Sequence, residues 1–175
     1  MRKILGIAAA AALIVSAGIA RAEAPPLKIG VIMTYSGPFA TYGHQADLGI
    51  ETYLKAHGDT IDGRKLVFIK KDDTGLAPDV SKRVTQELAV RDKVDIIFGS
   101  CWSPNAFASA PVVTAAKIPF FIIVAATDGI PAKSPYMVRV SQPVSVPVYT
   151  EGKWAAEKKG WKVGYSAVVD YVLGT

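Results

Sequence analysis

The sequence predicts an α/β fold, a parallel sheet covered by helices on both faces, and three observations carry that prediction. Short apolar runs alternate along the chain with segments whose apolar residues recur at helical spacing. One run, residues 120–124, is apolar at every position, as a strand covered on both faces requires. Gly58-Asp59, Ser103-Pro104 and Pro119 punctuate the alternation where helices must end or begin.

Ahead of this pattern lies a leader. Arg2 and Lys3 open it, an apolar run of small residues fills 4–20, and Ala20-Arg21-Ala22 fits a signal-peptidase site, so residues 1–22 read as a signal peptide with Glu23 as the first mature residue. The run is short for a bilayer span and is followed by Ala-Pro-Pro rather than by a cluster of Lys and Arg, which favours cleavage over anchoring. Arg2, Lys3 and Arg21 also supply three of the five units of net positive charge that 20 Lys and Arg against 15 Asp and Glu produce. The remaining basic residues are scattered, so the basic stripe that nucleic acid needs is missing. With 50% of its residues apolar the chain can bury a core, and its single cysteine, Cys101, excludes an internal disulfide framework.

The elements follow in order. Residues 27–33 form the first strand after Pro25-Pro26. Over 45–57, Ala46, Ile50, Tyr53, Leu54 and His57 fall on one helical face that Gly58-Asp59 closes. A second strand is expected over 65–71, a helix over 78–90 with Val80, Val84 and Leu88 on one stripe, and a third strand over 94–98. An Ala-rich helix over 103–116 contains Pro111, a kink position. Strands at 120–124 and 136–140, a helix near 148–159 and a strand over 162–169 complete the reading. This last strand begins a second βα series, and the sequence reads as a fragment of a longer protein.

In an open parallel sheet, ligands gather outside the carboxyl ends of the strands. The segments there are polar: 34–43 after the first strand, 99–105 after the third, and 125–129 after the fourth. Ser is a favoured helix cap and Pro a favoured first helical residue, so Ser103-Pro104 marks a helix start. Its free backbone N–H groups suit a carboxylate or another anion. Two readings of Ser103 stay open, a helix cap or a ligand contact. Asp72-Asp73-Thr74 reads as turn and cap chemistry rather than as a metal site. Cys101 with His44 or His57 lacks an orienting third group for thiol catalysis and reads as a buried structural thiol. No nucleophile elbow, phosphate loop, zinc-protease helix or dinucleotide fingerprint occurs, and no catalytic residue, metal or cofactor is expected.

Lys28-Ile29-Gly30-Val31, Ser36-Gly37-Pro38, Tyr42-Gly43, Gly49, Asp72-Asp73 and Ala125-Ala126-Thr127, in that order behind a signal peptide, resemble the branched-chain amino-acid-binding family of type I periplasmic binding proteins. The resemblance runs from about Leu27 to the end. It implies two Rossmann-like parallel-sheet lobes joined by a hinge and closing over a ligand, with the first lobe over 23–141 and the hinge crossing and start of the second over 142–175. It also implies residue roles: Ser103 and Thr127 meet the ligand carboxylate, the backbone of Ala125 and Ala126 faces the ligand, and Tyr42 lines the cleft. Tyr171 stands where a second-lobe cleft residue falls.

Two departures from the family matter. The first-lobe disulfide of the branched-chain amino-acid binders is absent. Trp102 replaces a smaller residue just before Ser103, either as an apolar wall with an N–H handle, which suits an aromatic or bulky acid, or packed beneath the loop. The resemblance thus implies a periplasmic protein that captures a small carboxylate-bearing molecule, an amino acid or an organic acid, and delivers it to the membrane subunits of an ABC permease. A receptor ectodomain built from the same lobes and a secreted α/β enzyme are the rival readings.

Overall fold

The computed structural model describes residues 24–165. Its strands are β1 (Leu27–Met33), β2 (Thr60–Ile61), β3 (Arg64–Asp72), β4 (Ile96–Gly99), β5 (Phe120–Ile122) and β6 (Met137–Arg139), and the helices are α1 (Ala40–His57), α2 (Pro78–Gln86), α3 (Ser103–Ala116) and α4 (Ser145–Lys159). The sheet order is β2-β3-β1-β4-β5-β6. All neighbours are parallel except β2 and β3, an antiparallel hairpin. Leaving β2 aside, the chain winds outward from β1 in one direction to β3 and in the other to β4, β5 and β6. The reversal creates a crevice at the carboxyl ends of β1 and β4, where a doubly wound sheet presents its ligand site.

Residue alternation on β1 divides the core. Ile32 faces a cluster formed by Leu88, Ile97, Val113, Phe120 and Ile122 under α2 and α3. Val31 and Met33 face the opposite cluster with Leu66 and Cys101, covered by Ala46, Ile50 and Leu54 of α1. Helices therefore lie on both faces, as the sequence predicted.

Several boundaries differ from the sequence reading. α1 begins at Ala40 rather than at 45, because a 3-10 turn over Gly37–Phe39 leads directly into it. Gly43 then lies inside that helix, where an added Cβ would meet the Thr34 carbonyl oxygen at 2.6 Å and the Tyr35 ring at 2.5 Å. The first turns of α1 thereby rest on the end of β1. α2 passes into a π-helical turn over Glu87–Asp92, stopped by Lys93 in the left-handed region at φ 52°. α3 carries Pro111 without a break and ends at Lys117, φ 55°.

α2 and α3 meet through hydroxyls as well as apolar groups: Ser81 and Thr85 place their oxygens 3.1 and 2.9 Å from Ser109 Oγ, with all three residues fully buried. α4 buries no residue. Residues 162–165 lie in no strand, and the remainder of the strand expected over 162–169 falls outside the described residues. Among the described residues no helix is long and apolar enough to cross a membrane.

Candidate functional site

The rim of the crevice starts at Gly99. Its φ of 135° lies outside the range L side chains favour, and a Cβ there would stand 1.9 Å from the Ile32 carbonyl oxygen. The following Ser100, also left-handed at φ 66°, donates its N–H to that carbonyl at 2.8 Å and its hydroxyl to the Trp102 carbonyl at 3.1 Å. This turn aims the chain into α3.

Trp102 occupies the cap position of α3 in an extended conformation, Ser103 is the first helical residue, and no side chain caps the helix. Ser103 therefore marks the helix start, as expected, without acting as its cap. Its side chain is directed to the neighbouring loop instead: Ser103 is 1% exposed and its Oγ accepts the Thr127 N–H at 3.4 Å. The Thr127 hydroxyl is buried and has no hydrogen-bond partner among the described residues. Such an orphan costs about 1–3 kcal/mol unless another group satisfies it. It lies on the loop that Ser103 contacts, at the N-terminal end of a fourteen-residue helix. A donor hydroxyl, a second hydroxyl and a positive dipole end make a chemically suitable seat for a carboxylate.

The backbone of the 125–128 loop is held from behind. Ala125, 2% exposed, donates its N–H to the Ser100 carbonyl at 3.0 Å and accepts the Ser141 hydroxyl at 3.2 Å. Ala126 accepts the Val144 N–H at 2.9 Å, and Thr127 accepts an Arg139 guanidinium N–H at 2.6 Å. Asp128 Oδ1 accepts the Ser145 hydroxyl at 3.0 Å.

Trp102 is half-buried. Its ring packs edge-on against Phe39, with centroids 4.8 Å apart and planes at 79°, while its indole N–H donates to Thr34 Oγ1 at 3.3 Å. Its N–H end is thus tied inward, and its ring packs against Phe39, which is 44% exposed, and against the core cluster around Met33 and Cys101. Tyr42 lies on the first turn of α1 and is 41% exposed. Tyr171 lies outside the described residues.

Beneath these loops lies a buried polar network that the sequence reading did not assemble. Thr34 donates to Asp73 Oδ1 at 2.6 Å, Gly75 N–H donates to the same oxygen at 3.2 Å, and Asn105 Nδ2 donates to Asp73 Oδ2 at 3.0 Å and to the Gly75 carbonyl at 2.8 Å. Thr34, Asp73 and Asn105 are fully buried. Asp73 thereby joins the end of β1 to the first turn of α3, the two walls of the crevice. Asp72 has the turn role expected of it, accepting the N–H groups of Tyr35 and Thr74, each at 2.8 Å. Burial alone raises its pKa, but hydrogen bonds from Ser36, Tyr35 and Thr74 outweigh it and hold the carboxyl below its ordinary value. Tyr35 is shifted upward by burial and by its hydrogen bond to Asp47.

Cys101 is buried, its Sγ 4.0 Å from Met33 Sδ, and burial pushes its thiol pKa up, the opposite of nucleophile activation. His44 packs edge-on to Tyr35 and His57 packs against Tyr53. Among the described residues no group of three His, Cys, Asp or Glu side chains could hold a metal ion.

A doubly wound lobe with polar loops gathered at its switch point is the architecture of an α/β module that holds small molecules at its strand ends. The chain belongs to the periplasmic binding protein family, whose model matches residues 26–175. It is 34% identical over 171 residues to the Leu/Ile/Val-binding protein homolog 6 of Brucella abortus (strain 2308), covering 96% of this chain and 43% of that relative, so it spans less than half the length of the curated relatives it matches. A solute-binding protein of an ABC transporter from Rhodopseudomonas palustris BisB5, solved in complex with 3,4-dihydroxybenzoic acid, is 42% identical with a TM-score of 0.73, over 76% of this chain and 36% of that one. Another R. palustris solute-binding protein, in complex with 4-hydroxybenzoate, is 38% identical with a TM-score of 0.79, over 86% of this chain and 40% of that one.

Proposed function

We propose that this chain is the ligand-receiving first lobe of an extracytoplasmic solute-binding protein that captures a small aromatic acid and delivers it to the membrane subunits of an ABC importer, without chemical conversion. The observation that carries the reading is the buried, unpartnered Thr127 hydroxyl on the loop that Ser103 contacts, at the N-terminus of α3. A carboxylate accepts hydrogen bonds from both hydroxyls and is stabilised by the helix dipole. Trp102 and Phe39 favour an aromatic body behind that carboxylate, since their rings adjoin the same strand ends and the indole N–H of Trp102 is already used by Thr34. The ligands of the two R. palustris relatives are benzoates, in line with this choice.

In this reading residues 1–22 are the export signal, 23–141 the first lobe and 142–175 the crossing into a second lobe. Tyr42 and the backbone of Ala125 and Ala126 line the cleft, and Tyr171 faces it from the second lobe. Calorimetric titration of the full-length protein with 4-hydroxybenzoate, 3,4-dihydroxybenzoate, benzoate and leucine tests the proposal. Saturable binding of an aromatic acid with leucine at least 10-fold weaker is expected. Tight binding of leucine alone, or of none of the four, overturns the assignment of the solute.

A further inference from the structure

The loop that carries Thr127 is tied, residue by residue, to the end of β6 and the segment that follows it. Ala125 accepts from Ser141, Ala126 from Val144, Thr127 from Arg139 and Asp128 from Ser145. Three of these four acceptors are backbone carbonyls, and the Thr127 carbonyl also accepts the Ile130 N–H of its own turn at 3.2 Å, while the Thr127 hydroxyl has no partner among the described residues. The shortest of the four is the only one with a charged donor, 2.6 Å from the Arg139 guanidinium to the Thr127 carbonyl oxygen. Arg139 closes β6, which pairs with β5, and the loop itself continues from β5. A charge-assisted bond from one strand end to the loop leaving its neighbour restricts how that loop rotates. Rotation about Thr127 would break this bond, the Ile130 N–H bond to the same carbonyl and the bond from the Thr127 N–H to Ser103 together.

We propose that Arg139 is a positioning residue for the binding site: by fixing the Thr127 carbonyl it holds the Thr127 hydroxyl and N–H in register with Ser103. With Ser141, Val144 and Ser145 it also makes the ligand loop and the crossing segment one hydrogen-bonded unit, so solute held at Thr127 bears directly on the segment entering the second lobe. The inference rests on the binding reading above. Arg139 itself touches no solute in it.

The test uses the full-length protein, with Arg139→Met and Arg139→Lys variants, in two arms. In the first, without solute, hydrogen exchange is read at the Thr127 and Ile130 amides, which donate to Ser103 Oγ and to the Thr127 carbonyl. Arg139→Met is expected to accelerate exchange there by about 10-fold or more while leaving the β1 and β4 amides unchanged, and Arg139→Lys, which retains a charged donor, is expected to restore most of the protection. In the second, 4-hydroxybenzoate and 3,4-dihydroxybenzoate are titrated, and Arg139→Met is expected to weaken binding by about 10- to 150-fold with partial rescue by Lys. Unchanged loop exchange in folded Arg139→Met overturns the proposal, as does faster exchange with wild-type affinity. If Arg139→Met does not fold, Arg139→Gln, which keeps a donor but no charge, is read in its place, and exchange unchanged from wild type at the same amides overturns the proposal. Failure of the wild-type protein to bind either benzoate sinks the choice of solute, and the exchange arm then decides the role of Arg139 by itself.

Discussion

The Trp102 indole N–H is directed inward to Thr34 Oγ1 at 3.3 Å, so the polar end of this side chain serves the protein, while its ring packs edge-on against Phe39. Thr34 in turn donates to Asp73. The orientation of an aromatic ring at the cap position of α3 is thus set by a carboxylate buried on the loop after β3.

That arrangement separates the ring from its donor. Trp102→Phe is expected to keep the affinity for 4-hydroxybenzoate within about 3-fold, whereas Trp102→Ala should lower it by about 2- to 12-fold or more, the range that an aromatic contact of about 0.5–1.5 kcal/mol supplies beyond its buried area. Equal losses in the two variants, measured by calorimetry, would show that the indole N–H rather than the ring meets the solute.

Thr127→Val should act in opposite directions on stability and on binding. Replacing a buried, unpartnered hydroxyl by a methyl group removes a desolvation cost of about 1–3 kcal/mol, so the ligand-free protein is expected to melt at the same or a higher temperature. Affinity should fall by about 10- to 150-fold, the value of a hydrogen bond to a charged group. Ser103→Ala should lower affinity similarly with little effect on α3, because Ser103 makes no capping bond. A destabilised Thr127→Val with normal affinity would mean that the hydroxyl is satisfied within the protein.

Gly99→Ala is expected to be the most damaging single-methyl addition at the rim. At φ 135° and 1.9 Å from the Ile32 carbonyl oxygen, the new methyl must force β4 away from β1. A cost of about 3 kcal/mol or more follows, readable as a lowered urea midpoint or as loss of soluble protein. A variant with an unchanged midpoint would show that the two strand ends are not in contact there.

Asp72 sets an acid limit. Its folded-state pKa is depressed below the ordinary carboxylate value, so its contribution is present above the unfolded pKa of about 3.9 and disappears as pH falls through the folded value. Denaturant unfolding at a series of pH values should show Asp72→Asn less stable than wild type at pH 7, with the difference shrinking below about pH 4. A difference that persists unchanged into strong acid would assign the effect to turn geometry rather than to charge.

The elements with strong local signals are legible directly. β1 follows Pro25-Pro26 as an apolar run interrupted by Lys28 and Gly30, and α3 opens at Ser103-Pro104, so both match the sequence reading over their full length. Periodicity places the start of α1 five residues late because its first turn, Ala40 to His44, mixes small and polar side chains and includes Gly43, whose place is fixed by contact with Thr34 rather than by helix propensity. The β2–β3 hairpin is absent from the sequence reading, although Asp62-Gly63, with φ 49° and 77°, is a recognisable turn signal. At the site, the convergence of the Ser103 and Thr127 loops follows from strand order. The partners behind them do not: Asp73 meets Thr34 and Asn105 across 39 and 32 residues of sequence, and a tie of that span exists only once β3, β1 and β4 are side by side. Arg139 resembles an ordinary strand-end cation for the same reason.

The Ser81, Thr85 and Ser109 hydroxyls between α2 and α3 have a mechanical consequence. An apolar seam tolerates axial sliding, because the dispersion attraction given up on one side returns a fraction of a turn further on. Hydroxyl pairs at 2.9 and 3.1 Å have no such neighbouring minimum: slippage by one residue would break both interhelical pairs and leave Thr85 and Ser109 only their bonds to the Ser81 and Asn105 carbonyls of their own helices. The helix pair therefore behaves as a keyed joint rather than a greased one. Since Asn105 lies one turn before Ser109 and accepts the Ser109 hydroxyl at its carbonyl, 3.0 Å away, the key also fixes the height at which α3 presents its first turn to Asp73 and to the crevice.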